Sequence, residues 1–149
     1  TPDAKTAAES GDPSDPKFTG ELPFTDFDQL NAQFGVGMLT DIGELGLRYN
    51  QWNNENNFLL PNGKGIGLWL RNDQLQFTGA LPLASGWELK PTLSWQRNLR
   101  RANSAGTPLS SGYDGTIHLE FDRYVARVEA IHGALGPFDG GTLGVEYTK

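Results

Sequence analysis

Few side chains in this sequence have the types and spacing that chemistry needs. His118 and His132 are its two histidines, fourteen residues apart. A zinc site takes three or four ligands, so two isolated histidines read as ordinary strand residues and not as a metal centre. Glu120 and Asp122 are two apart and would share one face of a strand. No base or nucleophile accompanies them, so no catalytic set emerges and the chain reads as a non-enzyme. Gly63/Gly65 and Gly140/Gly141 are turn glycines, because no helix follows them as a phosphate-binding loop would require. No cofactor pattern is present.

Two stretches have binding chemistry. Gln51 to Asn57 (QWNNENN) sets Trp52 among Asn53, Asn54, Glu55 and Asn56. Amides beside an aromatic ring suit a polar solute such as a sugar; the plain alternative is a solvated strand extension. Arg97, Arg100 and Arg101 form a cationic cluster. Arginine makes bidentate contacts to phosphate; the plain alternative is a solvated loop edge.

The elements that must position these groups are strands. From Asn72 to Arg97, Leu75, Phe77, Gly79, Leu81 and Leu83 alternate with Gln74, Gln76, Thr78 and Ala80. Ala84-Ser85-Gly86 reverses the chain. Trp87, Leu89, Pro91, Leu93 and Trp95 then alternate with Glu88, Lys90, Thr92, Ser94 and Gln96. Sustained alternation on both sides of a tight turn marks paired antiparallel strands.

The same period predicts four further strands. One covers about 29–40, with Leu30, Ala32, Phe34, Val36 and Met38 on one face. The next carries Leu45, Leu47 and Tyr49. A fifth begins at Ile117, and a sixth holds Leu143, Val145 and Tyr147 and runs to Lys149 as if in mid-strand. In the fifth, the apolar positions change from Ile117, Leu119 and Phe121 to Tyr124, Ala126, Val128 and Ala130. That change of phase predicts a β-bulge at Asp122-Arg123. The connections read short (41–43), long (59–67), short (84–86), long (102–115) and short (136–140). Residues 1–27 show no period and form an acidic, Pro/Gly-rich loop or tail, with Leu22, Phe24 and Phe27 as candidate tethers.

Composition narrows the class. The chain has 149 residues and no cysteine, so disulfide and thiolate chemistry are excluded. The formal charge is −6, and residues 1–28 hold seven acids against Lys5 and Lys17. Nucleic-acid binding needs a basic footprint, which is missing. No apolar run approaches the ~20 residues of a transmembrane helix. A membrane barrel carries no such signal, and it does alternate short turns with long loops. Trp87 and Trp95 share a face eight residues apart, which is roughly 26 Å along a strand at ~3.3 Å per residue. With a tilt of ~40° the height is roughly 20 Å, compatible with aromatic belts around a band of ~25 Å. The expected fold is therefore all-β: an antiparallel up-and-down meander of about six strands over 28–149. Six strands are too few to close a membrane barrel, so the meander is expected to be part of a larger one. A soluble all-β ligand-binding module and a small outer-membrane barrel enzyme are the alternatives.

Several segments also resemble a family. Gly43-Glu44-Leu45-Gly46-Leu47-Arg48-Tyr49 leads into a Leu-Pro-Asn-Gly loop. Gln74-Leu75-Gln76-Phe77, Leu81-Pro82-Leu83 and Gly86-Trp87-Glu88-Leu89 follow. Ala126-Arg127-Val128-Glu129-Ala130-Ile131-His132 and Gly141-Thr142-Leu143-Gly144-Val145-Glu146-Tyr147 complete the series. Over about 29–149 this order resembles the early barrel strands of TonB-dependent outer-membrane receptors, in particular the group containing zinc-uptake receptors. The resemblance implies a 22-stranded barrel around an N-terminal plug. It also implies uptake of siderophores, vitamin B12, metals or glycans, driven by the inner-membrane TonB complex. No plug domain or TonB box is read here, so the expected partners are membrane lipid, the remaining strands and plug of the same receptor, and TonB only through that plug. In that setting the phosphates facing Arg97, Arg100 and Arg101 would be those of lipopolysaccharide. Leu81 would face lipid near the bilayer centre and Gln76 the interior.

Overall fold

The computed structural model describes residues 24–134 and 136–149; the acidic stretch before Phe24 lies outside them. The strands are β1 (Phe27–Thr40), β2 (Gly43–Leu59), β3 (Gly65–Pro82), β4 (Trp87–Ala102), β5 (Ile117–His132) and β6 (Gly141–Thr148). They form one antiparallel six-stranded sheet in sequence order, as the alternation predicts. β1 and β6 are its edges, each paired on one side only.

The turns follow from local chemistry. Between β1 and β2, Gly43 has φ +130°, and Thr40 Oγ1 donates to its carbonyl at 2.8 Å. A Cβ on Gly43 would collide with the Ala80 carbonyl oxygen, so glycine is needed there for both φ and space. Between β3 and β4, Ala84–Gly86 makes a single 3-10 turn, closed by Leu83 N–H donating to Trp87 O at 2.7 Å. Between β5 and β6 the register is unbroken from Val125↔Thr148 to His132↔Gly141. Tyr124 and Lys149 extend it with a reciprocal pair of 3.0 Å bonds.

Two expectations are corrected. The loop placed at 59–67 is only the connection 60–64, because Gly65 to Arg71 are strand. Its shortening removes most of the predicted contrast between short and long connections; only 103–116 is distinctly long. The bulge at Asp122-Arg123 is absent. Asp122 bonds Trp95 and Arg97, while His132 stacks on Trp87. Both even positions of β5 thus meet odd positions of β4, which leaves no one-residue slip between them. Ile117, Leu119 and Phe121 simply lie on the opposite face.

Contacts divide the chain into two compact units. Of the described residues, the first holds 24–30, Asn53–Arg71 and Leu99–Glu120, including connections 60–64 and 103–116. The second holds Asn31–Trp52, Asn72–Asn98 and Phe121–Lys149, with the other three connections. Among the described residues, the one buried apolar side chain is Ala102, at 4% exposure. The described residues of the sheet enclose no hydrophobic core.

Candidate functional site

In the second unit, side-chain contacts assign each strand position to a face. Arg48 Nη2 donates to Gln76 Oε1 at 2.6 Å, and Gln96 Nε2 to Asn72 Oδ1 at 2.8 Å. These even positions of β2, β3 and β4 share one face. A Cβ on Gly35 would approach the Arg48 side chain, which puts the odd positions of β1 there too. Glu88 and Lys90 pair at 3.5 Å on β4, and Arg127 pairs with Glu129 on β5. This face is mostly amide, hydroxyl and charge, and it also carries Leu39 on β1 and Phe121, Val125 and Ile131 on β5.

The opposite face carries the greasy residues. A Cβ on Gly79 would touch Pro91 and Leu45, so the odd positions of β2, β3 and β4 meet there. Ala126↔Tyr147, Val128↔Val145 and Ala130↔Leu143 continue it across β5 and β6. Phe34, Val36 and Met38 supply it on β1. No second sheet or helix of the described residues covers this face. Leu93 is 53% exposed and Val145 72%.

Polar and aromatic groups border this apolar face at two levels of the second unit. At one, Tyr49 Oη donates to Asp73 Oδ1 at 2.6 Å. Beside them, Trp95 Nε1 donates to Asp122 Oδ1 at 2.9 Å, and Arg97 straddles the same carboxylate at 3.0 and 3.1 Å. At the other level, Trp87 and His132 stack with ring centroids 4.8 Å apart. The eight residues from Trp87 to Trp95 give a band roughly 26 Å long along the strand.

The first unit is built around Asn103, only 2% exposed. Its Nδ2 donates to the carbonyls of Thr107, Pro108 and Gly112, and its Oδ1 accepts from Asp114 N–H at 2.9 Å. Asp114 in turn accepts from the Ser104 hydroxyl, the Ser104 N–H and the Thr116 N–H. These bonds, the Ser104 hydroxyl foremost, hold the Asp114 carboxyl well below the usual carboxylate range. The loop lies on β3: a Cβ on Gly67 would meet Leu109 at 2.9 Å, and Tyr113 meets Trp69 edge-on at 5.9 Å. The Phe24 ring sits against Gly65, so that tether is present. Asn57 bonds Asp26 and accepts from Leu109 N–H at 2.8 Å.

The candidate binding residues sort as follows. Trp52 to Asn56 lie within continuous β2, so Trp52, Asn54 and Asn56 alternate with Asn53 and Glu55 and cannot all meet one ligand face. On β4, Arg97 and Arg101 are odd positions and Arg100 is even. Arg97 is engaged by Asp122. The Arg101 guanidinium lies over the Tyr113 ring at 5.5 Å. His118 pairs with Glu120 at 3.6 Å, while His132 contacts Trp87 and the Gly133 carbonyl. No set of three metal-ligating side chains occurs among the described residues. Sequence reasoning missed Asn103 and Asp114, whose only signal is the run of loop-forming residues around them. Comparison with protein-family models, curated proteins and solved structures returns no match.

Proposed function

We propose that this chain is a section of the wall of a transmembrane β-barrel in a bacterial outer membrane. Its apolar face meets lipid and its polar face meets the barrel interior. One observation carries this reading: in the second unit a single-layer sheet presents an apolar face on which no second sheet or helix of the described residues packs. A water-soluble sheet covers such a face with a second sheet or with helices. Hydrocarbon can cover it instead, provided every backbone group is paired, and a closed barrel achieves that. The bordering Tyr49, Trp95 and Trp87 suit the two aromatic girdles of such a wall. Further strands are then required at the outer edges of β1 and β6.

Within that class, the strand motifs support a TonB-dependent receptor that takes up a siderophore, metal or other small solute. The wall itself performs no reaction. Lipid and lipopolysaccharide surround it, and TonB acts through the receptor's plug. Flotation with lipid vesicles tests the membrane reading: the chain should float with vesicles and aggregate in plain buffer. A monodisperse monomer in plain buffer would refute it. Solute uptake that persists without TonB would remove the receptor assignment while leaving the barrel.

A further inference from the structure

The connection 60–64 carries a chemical feature that the wall reading does not use. Asn62 and Gly63 are both exposed at its tip. Gly63 has φ +78° and nothing within 4 Å of the position a Cβ would take. Asn62 Oδ1 accepts from Lys64 N–H at 3.1 Å. That bond folds the side-chain carbonyl back over the following peptide and polarises its carbon. We propose that Asn62-Gly63 is a self-modification site, at which the Gly63 backbone nitrogen attacks the Asn62 side chain and converts it to aspartate or isoaspartate.

The step balances without an oxidant or a cofactor. Solvent base removes the Gly63 amide proton. The nitrogen bonds to Asn62 Cγ, the Cγ–Nδ2 bond breaks, and Nδ2 leaves as ammonia. The five-membered succinimide is then opened by water at either carbonyl. Opening at Cγ breaks the new N–Cγ bond, restores the original peptide and gives aspartate; opening at the original Asn62 carbonyl carbon routes the main chain through Cβ and Cγ and gives isoaspartate. Either product places a carboxylate beside Lys64. The isoaspartate route also adds a methylene to the main chain, inside the segment closed by the bond from Leu60 N–H to Lys64 O at 2.9 Å.

The fold selects this asparagine over Asn57 and Asn103. Gly63 N–H donates to Leu60 O at 2.9 Å, a bond at an exposed tip that opens readily. Asn103 has its amide committed to three carbonyls, and the next N–H, that of Ser104, is held by Asp114. Asn57 is fixed at both ends of its amide by Asp26 and Leu109. A side chain on the residue after asparagine hinders the attack, and glycine has none.

The test is peptide mass spectrometry on the folded full chain after incubation in mildly alkaline buffer, with isoaspartyl methyltransferase labelling. The Asn62 peptide should show the mass gain of an NH-to-O exchange and accept the methyl label, while the Asn57 and Asn103 peptides stay unchanged. Gly63→Ala should slow conversion on the order of tenfold, since a Cβ crowds the attack and disfavours positive φ. Asn62→Gln, which keeps the Gly63 turn, should abolish it. An Asn62 peptide that stays intact in the folded chain but converts in the denatured chain would overturn the proposal. So would equal conversion at Asn103.

Discussion

The Trp95 indole and the Arg97 guanidinium share one carboxylate: Asp122 accepts from both, at 2.9 Å and at 3.0 to 3.1 Å. The trio joins β4 to β5 at the polar border of the apolar face. Asp122→Asn keeps an acceptor for the indole but removes the charge that Arg97 grips; Asp122→Ala removes both. Unfolding titrations in lipid vesicles should rank the wild type above Asn and Asn above Ala. Identical midpoints for all three would mean the trio contributes nothing to the wall.

Opposite faces at similar depth should respond differently to charge. Val128 lies across from Val145 on the apolar face, midway between the Trp87 and Trp95 levels. Val128→Arg should cost ~2–4 kcal/mol in a vesicle unfolding titration, as a charge near the bilayer midplane does. Thr92→Arg, on the polar face of β4, should be mild. Leu81 is no longer the best central probe. It is the penultimate residue of β3, close to the Trp87 level, so Leu81→Arg should cost only ~0–1 kcal/mol.

Asn103→Ala removes the side chain that satisfies three loop carbonyls and the Asp114 N–H. Leaving buried polar groups unpaired costs about 1–3 kcal/mol. Hydrogen exchange should show protection lost across 103–116 while β6 is unchanged. Unaltered protection in the loop would show that other contacts order it.

Acid should release the same loop. The Asp114 carboxyl is held below its ordinary value by hydrogen bonds, from the Ser104 hydroxyl first. Its folded value lies below its unfolded one, so its stabilisation is complete above the ordinary carboxylate pKa of about 3.9 and fades as pH falls below that. Limited proteolysis at 103–116 should be constant from neutral pH down to about 4 and rise below it. Asp114→Asn should raise cleavage at neutral pH and flatten the dependence.

The sheet order and the two faces of β3 and β4 were legible because alternation is strict there. Leu75 to Leu83 and Trp87 to Trp95 keep period two without a break. The start of β3 was not legible, since Gly65-Ile66-Gly67 reads as loop. Those glycines are strand residues pressed by Phe24 and Leu109, so their small size reflects close approach and not a turn. The phase change in β5 was misread as an inserted residue. Asp122 occupies an apolar-face position because Trp95 and Arg97 partner it, and periodicity alone cannot register such pairing. The five candidate ligand contacts on β2 were read as one patch from composition, but a strand sends neighbours to opposite faces. The Asn103 hub depends on backbone carbonyls brought together by the loop's own path, which residue types do not encode.

The central claim is that the apolar face meets hydrocarbon and the polar face meets water. The chain has no cysteine, so single cysteines from Trp87 to Arg97 can each carry a nitroxide in vesicle-inserted protein. Collision rates with oxygen and with a water-soluble nickel complex read the two environments. Oxygen maxima are expected at positions 89, 91 and 93 and nickel maxima at 90, 92 and 94, in strict antiphase. Odd positions shielded from both reagents would mean a sealed protein core, and would contradict it.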